Sequence, residues 1–150
     1  MGLTCVDSVS ESWLQNLDSK NIVKMAQDII ADALNTIMNV RRLEGKEVRI
    51  KKVSKVLVNL FELMKKDGYI DFEIVGDVKK EAIVKIIRLN ECRAIKPRYS
   101  MGVKQIDRYS RRFLPSRNFG KVIVSTNKGL VDHKEAYDQN IGGCLLAYYY

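Results

Sequence analysis

The sequence contains few of the residues on which disulfides, metal sites and catalytic centres depend. It has one histidine and three cysteines in 150 residues, and Cys5, Cys92 and Cys144 lie far apart with no C-x-x-C pair. An odd number of widely spaced cysteines encodes neither a disulfide framework nor a zinc site. We therefore expect reduced thiols, no bound metal and no cofactor.

Long apolar runs and targeting signals are also missing. No run approaches the roughly 20 residues that a membrane-spanning helix needs. The opening residues, MGLTCV, have Val6 where a myristoylation signal has Ser or Thr, and they lack the basic and apolar regions of a signal peptide. The expected location is the cytoplasm, without a membrane partner.

Positive charge, by contrast, is abundant and unevenly placed. The net charge is +8, and between Lys85 and Lys121 the many Lys and Arg residues face only Glu91 and Asp107. Because neutralising phosphates releases condensed counterions, such a concentration of cations favours a polyanionic partner. A merely solvated basic surface is the other interpretation. Residues 1–20 are acidic, and we interpret them as an N-terminal extension.

Apolar periodicity predicts an α-β-α-β-β subdomain over residues 21–90, beginning with a helix from Asn21 to near Arg42. The predicted apolar stripe of this helix consists of Ile22, Ala26, Ile29, Ala33, Ile37 and Val40. GKEVRIKK predicts a strand, Ser54 is typical of a helix N-cap, and Gly68 is typical of a helix end. The predicted apolar side of this second helix consists of Val56, Leu57, Leu60 and Met64. YIDFEIVG and EAIVKIIRL flank the turn-prone GDVKK and predict a hairpin.

The remaining residues, 91–150, predict a basic, β-rich subdomain with a short helix. Pro97 confines AIKPRYSM to an edge or irregular strand, VKQIDRYSRRF predicts a short basic helix, and LPSRNFG predicts a loop. KVIVST predicts a strand, and Asp132 followed by Glu135 predicts a capped short helix over HKEAYDQN. IGGCLLAYYY predicts a last strand. The two halves together predict an α/β fold of the α+β type, made of two small subdomains.

The stretch KVIVSTNKGL, residues 121–130, breaks a β-branched run with three small hydrogen-bonding side chains, a lysine and a glycine. It lacks the G-x-S-x-G elbow of a serine hydrolase and the spacing of a P-loop, whereas an ordinary turn would look similar. No nucleophile and orienting group accompany His133 in sequence, which disfavours an enzyme and a small-molecule substrate. A hydrolase that uses Ser125 and His133 is nevertheless an alternative.

Recognition of folded RNA explains this stretch best. Short Ser, Thr and Asn side chains reach the 2′-hydroxyls in the shallow minor groove of an RNA duplex, while Lys and Arg bind phosphates. A platform for single strands would need clustered aromatic residues, and Tyr99, Tyr109 and Phe119 are scattered in sequence. The first helix carries a second, mostly short polar stripe, which suits close contact but could also be a solvated face. This stripe consists of Asp28, Asp32, Asn35, Asn39 and Arg42.

Six ordered stretches carry a family resemblance. They are DIIADALNTIMN, VSKVLVNLFELMKKDGYI, FEIVGD, IKPRYS, LPSRNFGKVIVSTNKGLVDHKEA and GGCLLAYYY. On these stretches, residues 22–150 resemble the universal small-subunit ribosomal protein family numbered eight, and LPSR-FG and DH-EA resemble its eukaryotic cytosolic form, numbered fifteen-a. The resemblance implies a non-enzymatic, structural constituent of the cytosolic small ribosomal subunit. It implies binding to a helix in the central domain of small-subunit ribosomal RNA, beside neighbouring small-subunit ribosomal proteins, and a role in platform assembly and translation. A free RNA-binding translational regulator with the same surface is the alternative.

The resemblance also implies the RNA-binding residues. The principal contact of the family is a Ser-Thr-rich loop between a strand and the short helix, which corresponds here to Ser125, Thr126, Asn127, Lys128 and Gly129. The first helix and the segment leading into the second contribute Asp32, Asn35, Asn39, Ser54 and Lys55, with Tyr99 as a further contact. Two features depart from the family pattern. Asn127 stands where the family has a third hydroxyl, and residues 1–20 have no counterpart.

Overall fold

The computed structural model describes residues 28–76, 81–116 and 118–150, which form two antiparallel sheets and four α-helices. The predicted N-terminal extension, the predicted start of the first helix at Asn21 and most of the predicted GDVKK turn lie outside these residues. The mixed α/β fold class, with a β-rich second part and a short helix, is confirmed.

The first part of the chain has the predicted α-β-α-β-β order. Its elements are α1 (Ile29–Arg42), β1 (Glu47–Ile50), α2 (Lys55–Lys66), β2 (Ile70–Val75) and β3 (Glu81–Ile86). The strands form an antiparallel sheet in the order β1-β3-β2, and β2 and β3 make the predicted hairpin.

Local signals set the ends of these helices. The Asp28 carboxylate accepts a hydrogen bond from the Ile30 amide at 3.1 Å and caps α1. The Ser54 hydroxyl accepts one from the Leu57 amide at 3.2 Å and caps α2, as predicted. Gly68 follows α2 with φ 73°, the left-handed conformation that commonly ends a helix.

The second part contains a five-stranded sheet and two short helices that cover one of its sides. Its elements are β4 (Cys92–Ala94), β5 (Ser100–Met101), a 3-10 turn (Val103–Gln105), α3 (Ile106–Phe113), β6 (Lys121–Thr126), β7 (Gly129–Asp132), α4 (His133–Asp138) and β8 (Gly143–Tyr149). The sheet order is β4-β8-β6-β7, and β5 also pairs with β8. The chain around Pro97 therefore forms two short pieces on the same side of β8, which agrees with the predicted irregular edge. The Asp132 carboxylate accepts from the Glu135 amide at 2.7 Å and caps α4 as predicted.

Two apolar clusters lie on the two sides of the five-stranded sheet. The larger one contains α1, α2 and the three-stranded sheet, together with Ile123, Ala147 and Tyr149 of the second part. The smaller one lies on the other side, where α3 and α4 cover Val122 and Leu145. The boundary at residue 90 stays a prediction, and the larger cluster takes side chains from both sides of it.

Burial in the helices differs from the predicted stripes in two places. On α1 the structure buries Leu34 and Met38 as well as Ala33 and Ile37, because the helix packs against β1, β4 and α2. On α2 the prediction for Val56 is wrong, since this side chain is 42% exposed in the first turn. The fully buried side chains of α2 are Leu57, Leu60, Phe61 and Met64. Each of them contributes about 2 kcal/mol through burial of apolar surface.

Candidate nucleic-acid interface

Residues 125–129 form the tip of a β-hairpin, so strand β7 lies between the Ser-Thr-rich loop of the resemblance and the short helix. Ser125 and Thr126 are the last two residues of β6, and they pair with Leu130 and Gly129 of β7. Ser125 also pairs with Cys144 of β8, so neighbouring strands hold it on both sides. Strand β7 was missed because GLVD is too short to show a period-2 pattern.

The hydroxyl of Thr126 closes the hairpin turn. It donates a hydrogen bond to the Gly129 carbonyl at 2.9 Å and accepts one from the Lys128 amide at 3.2 Å. Gly129 has φ 122°, a conformation that residues with a Cβ rarely adopt. Asn127 and Lys128 keep negative φ, and both are exposed. The turn therefore presents an amide and an ammonium group on an ordered backbone.

The predicted polar face of α1 lies on the protein surface. Asp32, Asn35 and Asn39 are exposed, opposite the buried Leu34 and Ile37. These are short side chains, so any ligand that they contact must approach the helix closely. Their exposure is as predicted, while their contact with RNA stays a prediction.

Asp28 ties the start of α1 to the chain before β5. Its Oδ2 atom lies 3.0 Å from the Arg98 guanidinium and 3.4 Å from Lys96 Nζ. Burial opposes ionisation of this carboxyl, but the hydrogen bonds from Arg98 and the Ile30 amide outweigh it and lower the pKa. The polar stripe predicted on α1 is thus partly structural, because Asp28 serves the fold.

Tyr99, the next residue along from this ion pair, is half-buried and belongs to an aromatic contact. Its ring stacks on that of Tyr109 with centroids 5.6 Å apart, and the Arg112 guanidinium lies 6.0 Å from its centroid. Its carbonyl accepts a hydrogen bond from the Leu145 amide of β8 at 2.9 Å. The fold therefore already fixes the orientation of the Tyr99 ring, and its contact with RNA stays a prediction.

Ser54 and Lys55 lie at the start of α2. The Ser54 oxygen accepts the capping hydrogen bond, and a hydroxyl can still donate one. Lys55 is exposed in the first turn. Strand β7, whose first residue belongs to the hairpin tip, packs against α2. The hairpin strand β7 thus lies against the helix that these two residues begin, whereas the Asp28 ion pairs tie the start of α1 to the chain next to Tyr99.

Several cations of the 85–121 segment bind acids that lie far away in sequence. Such pairs join Lys85 to Glu47, Lys96 and Arg98 to Asp28, and Lys121 to Asp67 and Asp132. These acids lie outside residues 85–121, so the net charge of that segment alone does not include them. The basic surface is therefore smaller than the sequence indicates, and its exposed arginines include Arg108, Arg111 and Arg112 on α3.

His133 is buried and has a structural role. Its Nδ1 atom accepts a hydrogen bond from the Val122 amide at 3.2 Å, and burial lowers the pKa of the imidazole. Val122 and Ser125 are three residues apart on an extended strand, or about 10 Å. This geometry argues against a hydrolase in which His133 would activate Ser125.

Replacing His133 with alanine should lower the free energy of unfolding by about 1–3 kcal/mol, because the Val122 amide would stay buried without its acceptor. The unfolded chain protonates this imidazole more readily than the folded chain does. The parent should therefore lose stability as the pH falls below 6.5, and the variant should lack this loss. Urea unfolding between pH 5 and pH 8 measures both effects, with Asp138→Ala, at an exposed position of the same helix, as the control. RNA binding that is abolished in the folded variant would contradict a purely structural role.

Comparison with known proteins identifies the family. Residues 28–150 match the family model of ribosomal protein S8. The chain belongs to the ribosomal protein S8 family. Three relatives bear the name small ribosomal subunit protein uS8. That of Nanoarchaeum equitans is 41% identical over 129 residues, which are 84% of this chain and 100% of the relative. That of Methanococcoides burtonii is 43% identical over 126 residues, which are 82% of this chain and 97% of the relative. That of Kluyveromyces marxianus is 36% identical over 125 residues, which are 81% of this chain and 96% of the relative.

Membership of the S8 family confirms the predicted resemblance. The family is a structural, non-enzymatic component of the ribosome, which agrees with the prediction that the chain is not an enzyme. Within the described part of the chain no three His, Cys, Asp or Glu side chains are grouped so that they could hold a metal ion. No helix of residues 28–76, 81–116 or 118–150 is long and apolar enough to span a membrane.

Proposed function

We propose that this S8 family member is a structural constituent of the cytosolic small ribosomal subunit. It binds a helix in the central domain of small-subunit ribosomal RNA and supports platform assembly and translation, beside neighbouring small-subunit ribosomal proteins. The observation that carries this proposal is the hairpin tip. In a member of a ribosomal protein family, an ordered two-residue turn presents Asn127 and Lys128 to solvent beside two hydroxyl side chains.

The hairpin tip suits the minor groove of an RNA duplex. That groove is wide and shallow and displays 2′-hydroxyls and base edges, which short side chains can reach. The Asn127 side chain both donates and accepts hydrogen bonds, so it can take over the role of the third hydroxyl of the family. Lys128 binds phosphate and sets the register. The hydrogen bonds of Thr126 order the turn before RNA arrives, which reduces the entropy lost on binding.

The start of α2 and the polar face of α1 enlarge this contact. Lys121 joins Asp132, at the end of β7, to Asp67, which directly follows α2. Strand β7, which begins at the hairpin tip, packs against α2, the helix that begins at Lys55. We infer that both lysines bind phosphates of one duplex. The α1 side chains Asp32, Asn35 and Asn39, the Ser54 hydroxyl and Tyr99 then contact sugar and backbone around it.

Thr126→Ala should weaken binding to a transcript of the central domain of small-subunit ribosomal RNA about fivefold. This corresponds to about 1 kcal/mol, the net value of one or two hydrogen bonds that order the turn. Thr126→Ser keeps the hydroxyl and should bind within about twofold of the parent. Fluorescence anisotropy measures both affinities. An equally long transcript of large-subunit ribosomal RNA serves as the competitor.

Equal affinity of the alanine variant and the parent would remove the hairpin from the proposal. Equal competition by the large-subunit transcript would remove the small-subunit specificity.

A further inference from the structure

Six aromatic side chains form a nearly continuous row that runs from the α3 side of the five-stranded sheet to the cleft that Phe119 and Arg88 line. We call this set, Tyr109, Tyr99, Phe113, Tyr148, Tyr150 and Phe119, the aromatic row. Tyr148 stacks on Phe113 with centroids 5.6 Å apart and on Tyr150 at 6.3 Å, and Phe119 lies 5.8 Å from Tyr150. The Arg112 guanidinium joins these rings to the stacked pair of Tyr99 and Tyr109, since it lies 5.8 Å from Phe113 and 6.0 Å from Tyr99. The sequence had shown three of these rings as scattered.

The fold orients one end of the row rigidly. The hydroxyls of Tyr148 and Tyr150 both donate to the Glu91 carboxylate, which also pairs with Arg93 at 2.8 Å. Gly120 has φ 89°, and a Cβ there would lie 2.5 Å from the Cβ of Tyr150. The glycine therefore lets the loop approach the last strand closely and places Phe119 beside Tyr150.

The row lies at the edge of the core, not inside it. Five of its side chains are half-buried and pack against the smaller apolar cluster, and Phe119 is 45% exposed. The row thus ends in an accessible aromatic surface.

The charge around the row favours an anionic ligand. Lys104, Arg108, Arg111 and Arg112 of the α3 region are exposed, as is Arg93 on β4. The acids near the row include Glu91 and Asp107, and Glu44 and Asp67 line the cleft at Phe119 together with Arg41 and Arg88. Asp67 pairs with Lys121 at 2.9 Å. Glu91 and Asp107 are paired as well, with Arg93 at 2.8 Å and with Arg111 at 2.6 Å. Cations therefore exceed acids beside the rings.

The Tyr148–Tyr150 end of the row is separate from the hairpin tip. Ser125 pairs with Cys144 near the start of β8, whereas Lys121 pairs with Tyr149 at its end. Five residues of extended strand separate Cys144 from Tyr149, or about 17 Å. One ligand group cannot contact both places.

We propose that the aromatic row binds unpaired nucleotides of RNA. Bases stack on aromatic rings whatever their sequence, and arginines beside the rings bind the phosphates, which is how proteins hold single strands. The protein then has two RNA surfaces of different chemistry, the hairpin tip for a duplex and the end of the row with Tyr148, Tyr150 and Phe119 for a single strand. Tyr99, at the other end of the row, lies next to the duplex surface, since Ser100 and Ser125 both pair with Cys144. This proposal does not depend on the hairpin contact.

The test measures binding of the full chain to a fluorescent ten-nucleotide oligouridine and to a blunt 12-base-pair RNA duplex. Phe119→Ala should weaken oligouridine binding roughly tenfold, the usual effect of removing one base–aromatic stack, and should leave duplex binding unchanged. Arg112→Gln should weaken oligouridine binding and reduce its salt dependence. The control is Tyr137→Ala, since Tyr137 is 59% exposed on α4 outside the row, and this variant should bind both RNAs like the parent.

Each outcome decides the proposal. Oligouridine affinity that is the same in the parent, Phe119→Ala and Arg112→Gln would overturn it, as would an equal loss for oligouridine and duplex. Thr126→Ala should leave oligouridine binding intact, so failure of the hairpin contact can be told apart from failure of the row. Thermal unfolding of each variant shows that the folded protein is being compared.

Discussion

Replacing Lys121 with methionine should lower the free energy of unfolding by about 2–3 kcal/mol. Lys121 Nζ lies 2.9 Å from both Asp67 Oδ1 and Asp132 Oδ2, and Asp67 also accepts the hydroxyl of the buried Tyr149 at 2.7 Å. Removing the cation leaves two carboxylates close together, and the side chain of Asp132 is only 8% exposed. Losing one partner of a buried pair usually costs about 3–5 kcal/mol. We expect less here because Lys121 is 31% exposed.

The effect should depend on pH in a defined direction. Burial would raise the pKa of Asp132, but hydrogen bonds from the Glu135 amide and Lys121 outweigh it and lower the pKa below 3.8. A carboxyl with a lowered pKa contributes stability above its unfolded value, and this contribution is lost as the pH falls through the folded value. The parent and Lys121→Met should therefore differ most near neutral pH, and the difference should shrink only as the pH falls below 3.8 and through the lowered pKa of Asp132, where its protonated carboxyl no longer needs the cation.

Urea unfolding at pH 7 and pH 3 tests this prediction. The matched control is Lys85→Met, because Lys85 forms an exposed ion pair with Glu47 at 3.8 Å. That pair should contribute less than about 1 kcal/mol. A loss of stability in Lys121→Met no greater than in the control would show that the network does not hold the two parts of the chain together.

Reversing two charges, Lys55→Glu with Lys128→Glu, should weaken binding to the central-domain transcript by about a hundredfold or more. We infer that both lysines bind phosphates, and each such contact adds roughly 0.7–0.9 to the slope of log affinity against log salt. The slope should accordingly fall by about 1.4–1.8. Both side chains are exposed, so the stability of the fold should change little.

A control with the same change in net charge distinguishes a defined site from general attraction. Lys46→Glu with Lys85→Glu reverses two exposed lysines beside or within the three-stranded sheet. This control should weaken binding several-fold at most, through the longer-range field. If it weakened binding as much as the Lys55 and Lys128 reversal, RNA would be held by overall charge and not by the hairpin and the start of α2.

Local signals made much of the fold predictable from the sequence. The cap at Ser54, the glycine at Gly68 and the apolar spacing between them predicted α2 within a residue or two. Asp132 and Glu135 likewise predicted the start of α4. Each of these signals acts over three or four residues, so it can be recognised without knowledge of the tertiary structure.

Features that depend on distant residues could not be predicted in this way. Asp67, one partner of Lys121, and Asp28, the partner of Arg98, lie more than 50 residues away in sequence, so a local count of charge overstated the basic surface. Burial of His133 and its hydrogen bond to Val122 arise from packing of α4 on β6. The aromatic row forms only when β8 places Tyr148 and Tyr150 between Phe113 and Phe119.

The candidate site could be predicted from the sequence only in part. The residue types at 125–129 and the family resemblance indicated the hairpin region, but not its backbone. The structure shows that Thr126 bonds within the turn, which makes it an ordering residue at least as much as a direct contact. Asn127 and Lys128 have exposed side chains, so substitutions there should change RNA affinity with little effect on folding.

The most direct test of the proposed function is sedimentation of the tagged full-length protein from a lysate of cells that express it. We expect the parent to travel with small ribosomal subunits in a sucrose gradient and to stay bound after a high-salt wash. The Lys55 and Lys128 reversal should shift toward the top of the gradient. A parent protein found mainly in ribosome-free fractions would contradict the ribosomal assignment and would favour a free RNA-binding regulator.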